Sequence, residues 1–203
     1  TSAKIRNQIA WNDDIKATVW TEIVTEKIRK QKELLERIGK DEEAMLLQNY
    51  IKEIQYGDST NREGHAAKVY FNALFGKEFT RTADCNINAA LNYGYSILLS
   101  SFTREIVANG YITQLGLFHD NMFNQFNLAS DLMEPFRPIV DELVYDMELG
   151  TFEKEEKMKL VNIMNQTVRI NDRSEYMNNA VKIYCKSIFD ALNENDVSLI
   201  KFY

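Results

Sequence analysis

Apolar residues recur at three- and four-residue steps through most of the chain, the spacing that turns one face of an α-helix toward a core. A short helix is predicted from Ala3 to Ala10, ending near Trp11-Asn12-Asp13-Asp14, where Asn12 or Asp13 can cap the next. That next helix runs from Ile15 to Ile38, with Val19, Trp20, Ile23, Val24, Ile28, Leu34, Leu35 and Ile38 as its stripe and Gly39 as its stop. Its charges set Lys27, Arg29, Lys30, Lys32 and Arg37 against Glu26, Glu33 and Glu36, and read as a solvated face. Asp41 is expected to cap a helix through Ile54, which Gly57-Asp58-Ser59 breaks. Thr60-Asn61-Arg62-Glu63 has the form of a capping box, in which the glutamate would bond the cap residue's backbone N–H. The helix beyond it, Gly64 to Phe75, stops at Gly76.

Asp84 to Ala108 reads as the longest buried helix and the central post, with a stripe of Ile87, Leu91, Tyr95, Leu98, Leu99, Phe102 and Ile106. Amides and phenols at Asn86, Asn88, Asn92, Tyr93 and Tyr95 interrupt its apolar character and need partners once buried. After a loop carrying Gln114, Gly116 and His119, a helix starts between Asn127 and Asp131 and continues to Leu149, kinked by Pro135. Its stripe is Leu132, Phe136, Ile139, Val140, Leu143 and Met147; Glu134, Arg137 and Asp141 lie off that stripe. Further helices are predicted from Glu153 to Met164 and from Ser174 to Leu192, and the tail Val197 to Tyr203 is apolar enough to dock.

The fold expected is all-α, a multi-helix bundle around a long central helix. Eight glycines and two prolines leave little turn material for an all-β alternative. No repeat or Pro/Ser-rich linker marks a boundary, so residues 1–203 read as a single helical domain. A net charge of −6 opposes wholesale coating by nucleic acid but leaves room for a local basic patch. Cys85 and Cys185, a hundred residues apart, match neither a zinc spacing nor a disulfide framework. With no apolar run of roughly 18 residues and no signal-peptide pattern, a soluble, cytoplasmic protein is expected.

The densest chemistry lies between Gln114 and Asp141. His119 and Glu134, joined by Glu63, offer an imidazole and two carboxylates, with Asp131 close by as an accessory acid. Such a set suits Mg²⁺ or Mn²⁺ and would leave positions for water or phosphate oxygens. The simpler readings are a loop histidine satisfied by hydrogen bonds, a glutamate in a capping box and a structural His65. Other enzyme classes lack their signatures: there is no Glu-x-x-His helix pair, no phosphate-binding Walker loop, no dinucleotide fingerprint and no Gly-x-Ser-x-Gly elbow.

Three segments together carry a family resemblance: Asn61-Arg-Glu63-Gly-His-Ala-Ala-Lys-Val-Tyr-Phe71, the run Ile87 to Tyr95, and Leu115-Gly-Leu-Phe-His119 followed by Asn127-Leu-Ala-Ser-Asp-Leu-Met-Glu134-Pro-Phe-Arg137. The sequence resembles the CRISPR spacer-acquisition integrases of type II systems, which are bacterial. The resemblance implies the helical catalytic domain of a two-domain protein whose β-rich N-terminal domain mediates homodimer formation. It places Glu63, His119 and Glu134 as metal ligands and Asp131 at a neighbouring acidic position. It puts Arg137 near the DNA, and Arg62, next to Glu63, is a further candidate for DNA binding. Some relatives have aspartate where Glu134 stands. The implied reaction is metal-dependent transesterification, in which the 3′-hydroxyl of a captured double-stranded DNA fragment attacks a phosphodiester at a CRISPR repeat. A small ferredoxin-like partner is implied as the bridge between integrase dimers. Two alternatives stay open: a metal-dependent DNase with the same site, and an inactive helical interaction module whose acidic region, Asp141 to Glu156, meets a basic partner.

Overall fold

The structure, a computed structural model, describes residues 2–203. The helices are α1 (Ser2–Ala10), α2 (Asp13–Arg37), α3 (Asp41–Glu53), α4 (Arg62–Phe75), α5 (Asn86–Ala108), α6 (Asn127–Leu132), α7 (Arg137–Asp146), α8 (Lys154–Val161) and α9 (Met177–Glu194). Strands β1 (Thr167–Ile170) and β2 (Arg173–Tyr176) form an antiparallel hairpin, so the fold is predominantly α, as expected. No helix among the described residues is long and apolar enough to cross a membrane.

Two long helices organise the bundle. α5, 23 residues long, packs against α6, α7, α8 and α9. α2, two residues longer, packs against α3, α4, α7 and α9. Phe102 of α5, Phe136 and Tyr184 of α9 meet edge-on or tilted with ring centroids 5.2–6.1 Å apart, all fully buried. Burial of each such ring contributes roughly 2–3 kcal/mol. Gly94 sets the approach of α5 to α7 and α8, because a Cβ there would be driven into Val140 and Leu160.

The Pro135 kink is present and sharper than a bend. Residues Glu134–Phe136 form a 3-10 turn between α6 and α7, with Pro138 in the first turn of α7, where its missing N–H costs no helical bond. The tail docks as expected: the Tyr203 hydroxyl donates to the Pro135 carbonyl at 2.9 Å and its ring packs 4.6 Å from Phe136.

Four expectations are corrected. The helix predicted from Ser174 starts at Met177, because Asn171 and Asp172 (φ 53° and 60°) make a two-residue turn that folds the preceding residues back as β1 and β2. Asp41 is the first residue of α3 and forms no side-chain cap. The capping box at Thr60 and Glu63 does not form. Asn61, at φ 52°, accepts from Gly64 N instead, and Asp58 accepts from the backbone N–H groups of Arg62 (2.7 Å) and Glu63 (3.0 Å). Finally, Lys27 and Glu26 are not on a solvated face; they are 6% and 4% exposed.

Candidate active site

The capping of α4 by Asp58 and Asn61 frees the Glu63 side chain from its own backbone. It reaches across to α2 and accepts a hydrogen bond from Lys27 Nζ. Glu134, in the 3-10 turn after α6, takes the same ammonium through Oε2. Its other oxygen, Oε1, accepts from Arg137 Nε at 2.8 Å. Two carboxylates from separate elements thus converge on one cation.

The electrostatics follow from burial. Burial raises the Glu134 pKa, but Arg137 and Lys27 more than offset that and hold it at about 2. For Lys27, burial works against the charged form, and Glu134 and Glu63 outweigh it, so its pKa is raised. A cavity of about 230 Å³ opens beside this group, lined by Lys27, Gln31, Glu63, Glu134, Arg137 and Asp141, with Arg81 and Tyr95 on its wall. The guanidinium of Arg137 lies 4.5 Å from the centre of the Tyr95 ring. Asp141 accepts hydrogen bonds from the hydroxyls of Tyr95 and Tyr70 (3.0 Å).

His119 is held separately. Its Nδ1 pairs with Oδ1 of Asp131, a fully buried carboxylate that also accepts from the backbone N–H groups of Leu117 (2.6 Å), Phe118 (3.0 Å) and His119 (3.3 Å). Gly116 permits this wrapping, since a Cβ there would be driven into the His119 carbonyl and the Asp131 carboxylate. The hydrogen bond to Asp131 raises the His119 pKa; partial burial opposes it, and Asp131, Glu134 and Glu63 add to the rise by charge. Phe118 stacks on Trp20 of α2 at 4.6 Å and 3°, and the imidazole meets the same indole edge-on at 5.8 Å.

Of the residues singled out in the sequence, the structure joins Glu63 to Glu134 and Arg137, and joins His119 to Asp131. It does not gather Glu63, His119 and Glu134 into one cluster: among the described residues no group of three His, Cys, Asp or Glu side chains is arranged to hold a metal ion. Arg62 points elsewhere, pairing with Glu53 at 3.0 Å and lying over Tyr50. The sequence reading missed Lys27 and Gln31. Both continue the buried stripe Trp20, Ile23, Val24, Ile28 and Leu34 of α2, and polar residues falling on such a stripe were the available signal.

The fold has close counterparts among solved structures. The chain matches a partial Cas6-RT-Cas1–Cas2 complex with a TM-score of 0.80, 18% identity, and coverage of 98% of this chain and 72% of that one. It matches a casposase bound to integration product with a TM-score of 0.78, 18% identity, and coverage of 96% and 69%. In sequence it is 40% identical over 137 residues to the CRISPR-associated endonuclease Cas1 of Neisseria meningitidis serogroup C, covering 68% of this chain and 45% of that protein. The model of the family described as CRISPR associated protein Cas1 matches residues 1–174. The chain belongs to the Cas1 family.

Proposed function

We propose that this chain is the catalytic domain of a CRISPR DNA integrase that inserts captured double-stranded DNA at a CRISPR repeat by metal-dependent transesterification. The observation that carries the reading is the convergence of Glu63 and Glu134 on a single cation; the His119 imidazole, oriented by the buried Asp131, is held on its own loop outside that pair. The donor set suits Mg²⁺ or Mn²⁺. Glu63 and Glu134 Oε2 supply hard oxygens already aimed at a positive charge, and Asp131 on Nδ1 leaves His119 Nε2 free as a ligand. When bound, such an ion supplies Lewis-acid polarisation of the scissile phosphate and stabilisation of developing charge.

The protein's own groups do the rest. Arg137 keeps Glu134 ionised in a buried setting. Asp131 fixes the imidazole tautomer, and the cavity beside Glu134 offers Arg81 and Arg137 to phosphate oxygens. The attacking hydroxyl comes from DNA, so no Ser or Cys nucleophile is needed. The chain spans less than half of the Neisseria relative. The complete protein is therefore proposed to act as a homodimer through a further domain, with a small ferredoxin-like partner, and the isolated domain to be weakly active or inactive.

Strand transfer of a labelled duplex into repeat-containing DNA tests the reading in the complete protein. His119→Ala and Glu134→Gln are expected to lower joined product by roughly 10²-fold or more, with circular dichroism of the fold retained. Activity retained by both variants overturns the assignment. A product that is cut but never joined assigns the site to hydrolysis instead.

A further inference from the structure

Lys27 is placed to do more than neutralise charge. Its ammonium is buried between Glu63 and Glu134, and those carboxylates occupy two of its three N–H donors. One turn further along α2, at i+4, Gln31 is 1% exposed and its side-chain Oε1 has no hydrogen-bond partner. Buried amide oxygens are normally satisfied, so this one stands as an open acceptor within reach of a flexible lysine stem. Both side chains line the cavity that holds Arg137.

We propose that Lys27 is an exchangeable cation and a DNA-positioning residue: its ammonium holds Glu63 and Glu134 until a divalent ion takes both carboxylates, then moves to Gln31 and meets a phosphate oxygen of the bound DNA. The inference rests on the metal-ligand reading of Glu63 and Glu134 given above. Two cations cannot share the space between these carboxylates, because their repulsion is strong where water is excluded. Two unneutralised carboxylates cannot share it either, and Lys27 supplies the neutralising charge. Arg137 occupies Glu134 Oε1, so the oxygen open to exchange is Oε2, the one Lys27 holds. Once seated on Gln31, the ammonium has donors to spare, and a phosphate oxygen is the acceptor that integration brings into the cavity.

The test pairs metal binding with strand transfer in the complete protein. Titration of Mn²⁺ by electron paramagnetic resonance, without DNA, compares the parent with Lys27→Met and Glu134→Gln. Lys27→Met is expected to bind Mn²⁺ roughly tenfold more tightly, the gain from removing a competing ion, while joined product falls about tenfold or more. A purely structural lysine would weaken both together. Loss of Mn²⁺ binding in Glu134→Gln with no gain in Lys27→Met overturns the exchange, and undiminished strand transfer in Lys27→Met overturns the phosphate contact. Unaltered Mn²⁺ binding in both variants overturns the metal-ligand reading itself. Should Lys27→Met not fold, reductive methylation of the parent, read at Lys27 by mass spectrometry, decides. Mn²⁺ is expected to raise the methylation rate several-fold by releasing the ammonium, and an unchanged rate overturns the proposal.

Discussion

Asp141 shows how a single side chain can be satisfied and still costly. Two tyrosine hydroxyls donate to it, from Tyr70 and Tyr95, yet it is only 1% exposed. Burial raises its pKa from 3.8 to about 6, the hydrogen bonds from Tyr95 and Tyr70 recovering only part of the loss. The folded pKa is the higher one, so this group's contribution to stability is fully present below pH 3.8 and is lost as pH rises through about 6. Asn can hydrogen-bond both phenols without titrating. Asp141→Asn is therefore expected to gain about 3 kcal/mol on the parent protein between pH 3.5 and pH 7, read by urea unfolding at each pH. An unchanged difference between the two proteins across that range would refute the account. At this scale the sequence was only partly legible. Glu63, His119, Glu134 and Arg137 stood out as functional types, but Lys27 read as solvated because its neighbours Arg29, Lys30 and Lys32 are charged. Its place on the buried stripe of α2 was the one local signal; its partners, Glu63 and Glu134, come from other elements and show in no local pattern.

At the scale of elements, strong periodicity sufficed for α2, α5 and the body of α4, and the chemistry of proline for the kink at Pro135. The hairpin escaped because Thr167–Ile170 and Arg173–Tyr176 are four residues each, too short to show alternation against the adjoining helix. The start of α4 escaped for a subtler reason. Thr60 and Glu63 have the right spacing for a reciprocal cap, but Asp58 and Asn61, both at positive φ, accept from the N–H groups of Arg62, Glu63 and Gly64 instead. Asp58→Ala removes acceptors from two backbone donors in the turn that presents Glu63. It is expected to cost about 1–2 kcal/mol in urea unfolding, whereas a loss no larger than ordinary surface substitutions would show that Asn61 alone suffices.

Across the molecule, the site is assembled by α2. This helix carries Trp20 against the histidine loop and Lys27 and Gln31 against the carboxylates, so two groups far apart in sequence are referred to one rigid rod. The family match ends at residue 174, yet the tail beyond it reaches back to bond the carbonyl of Pro135, directly after Glu134. Fold class could be read from the sequence; the pairing of His119 with Asp131 arises when the loop from Leu117 to His119 wraps onto α6, and the pairing of both glutamates with Lys27 only when separate elements meet on α2. The contact of Trp20 with Phe118, stacked, and with His119, edge-on, also gives the protein an optical gauge of its own. The chain has two tryptophans, so Trp11→Phe leaves a single emitter touching the imidazole. Fluorescence of that variant should be quenched as pH falls, with a midpoint above 6.5, the direction in which Asp131 moves His119. A ligand drawing the imidazole away from the indole would change the emission at constant pH, letting the histidine loop be followed by light alone.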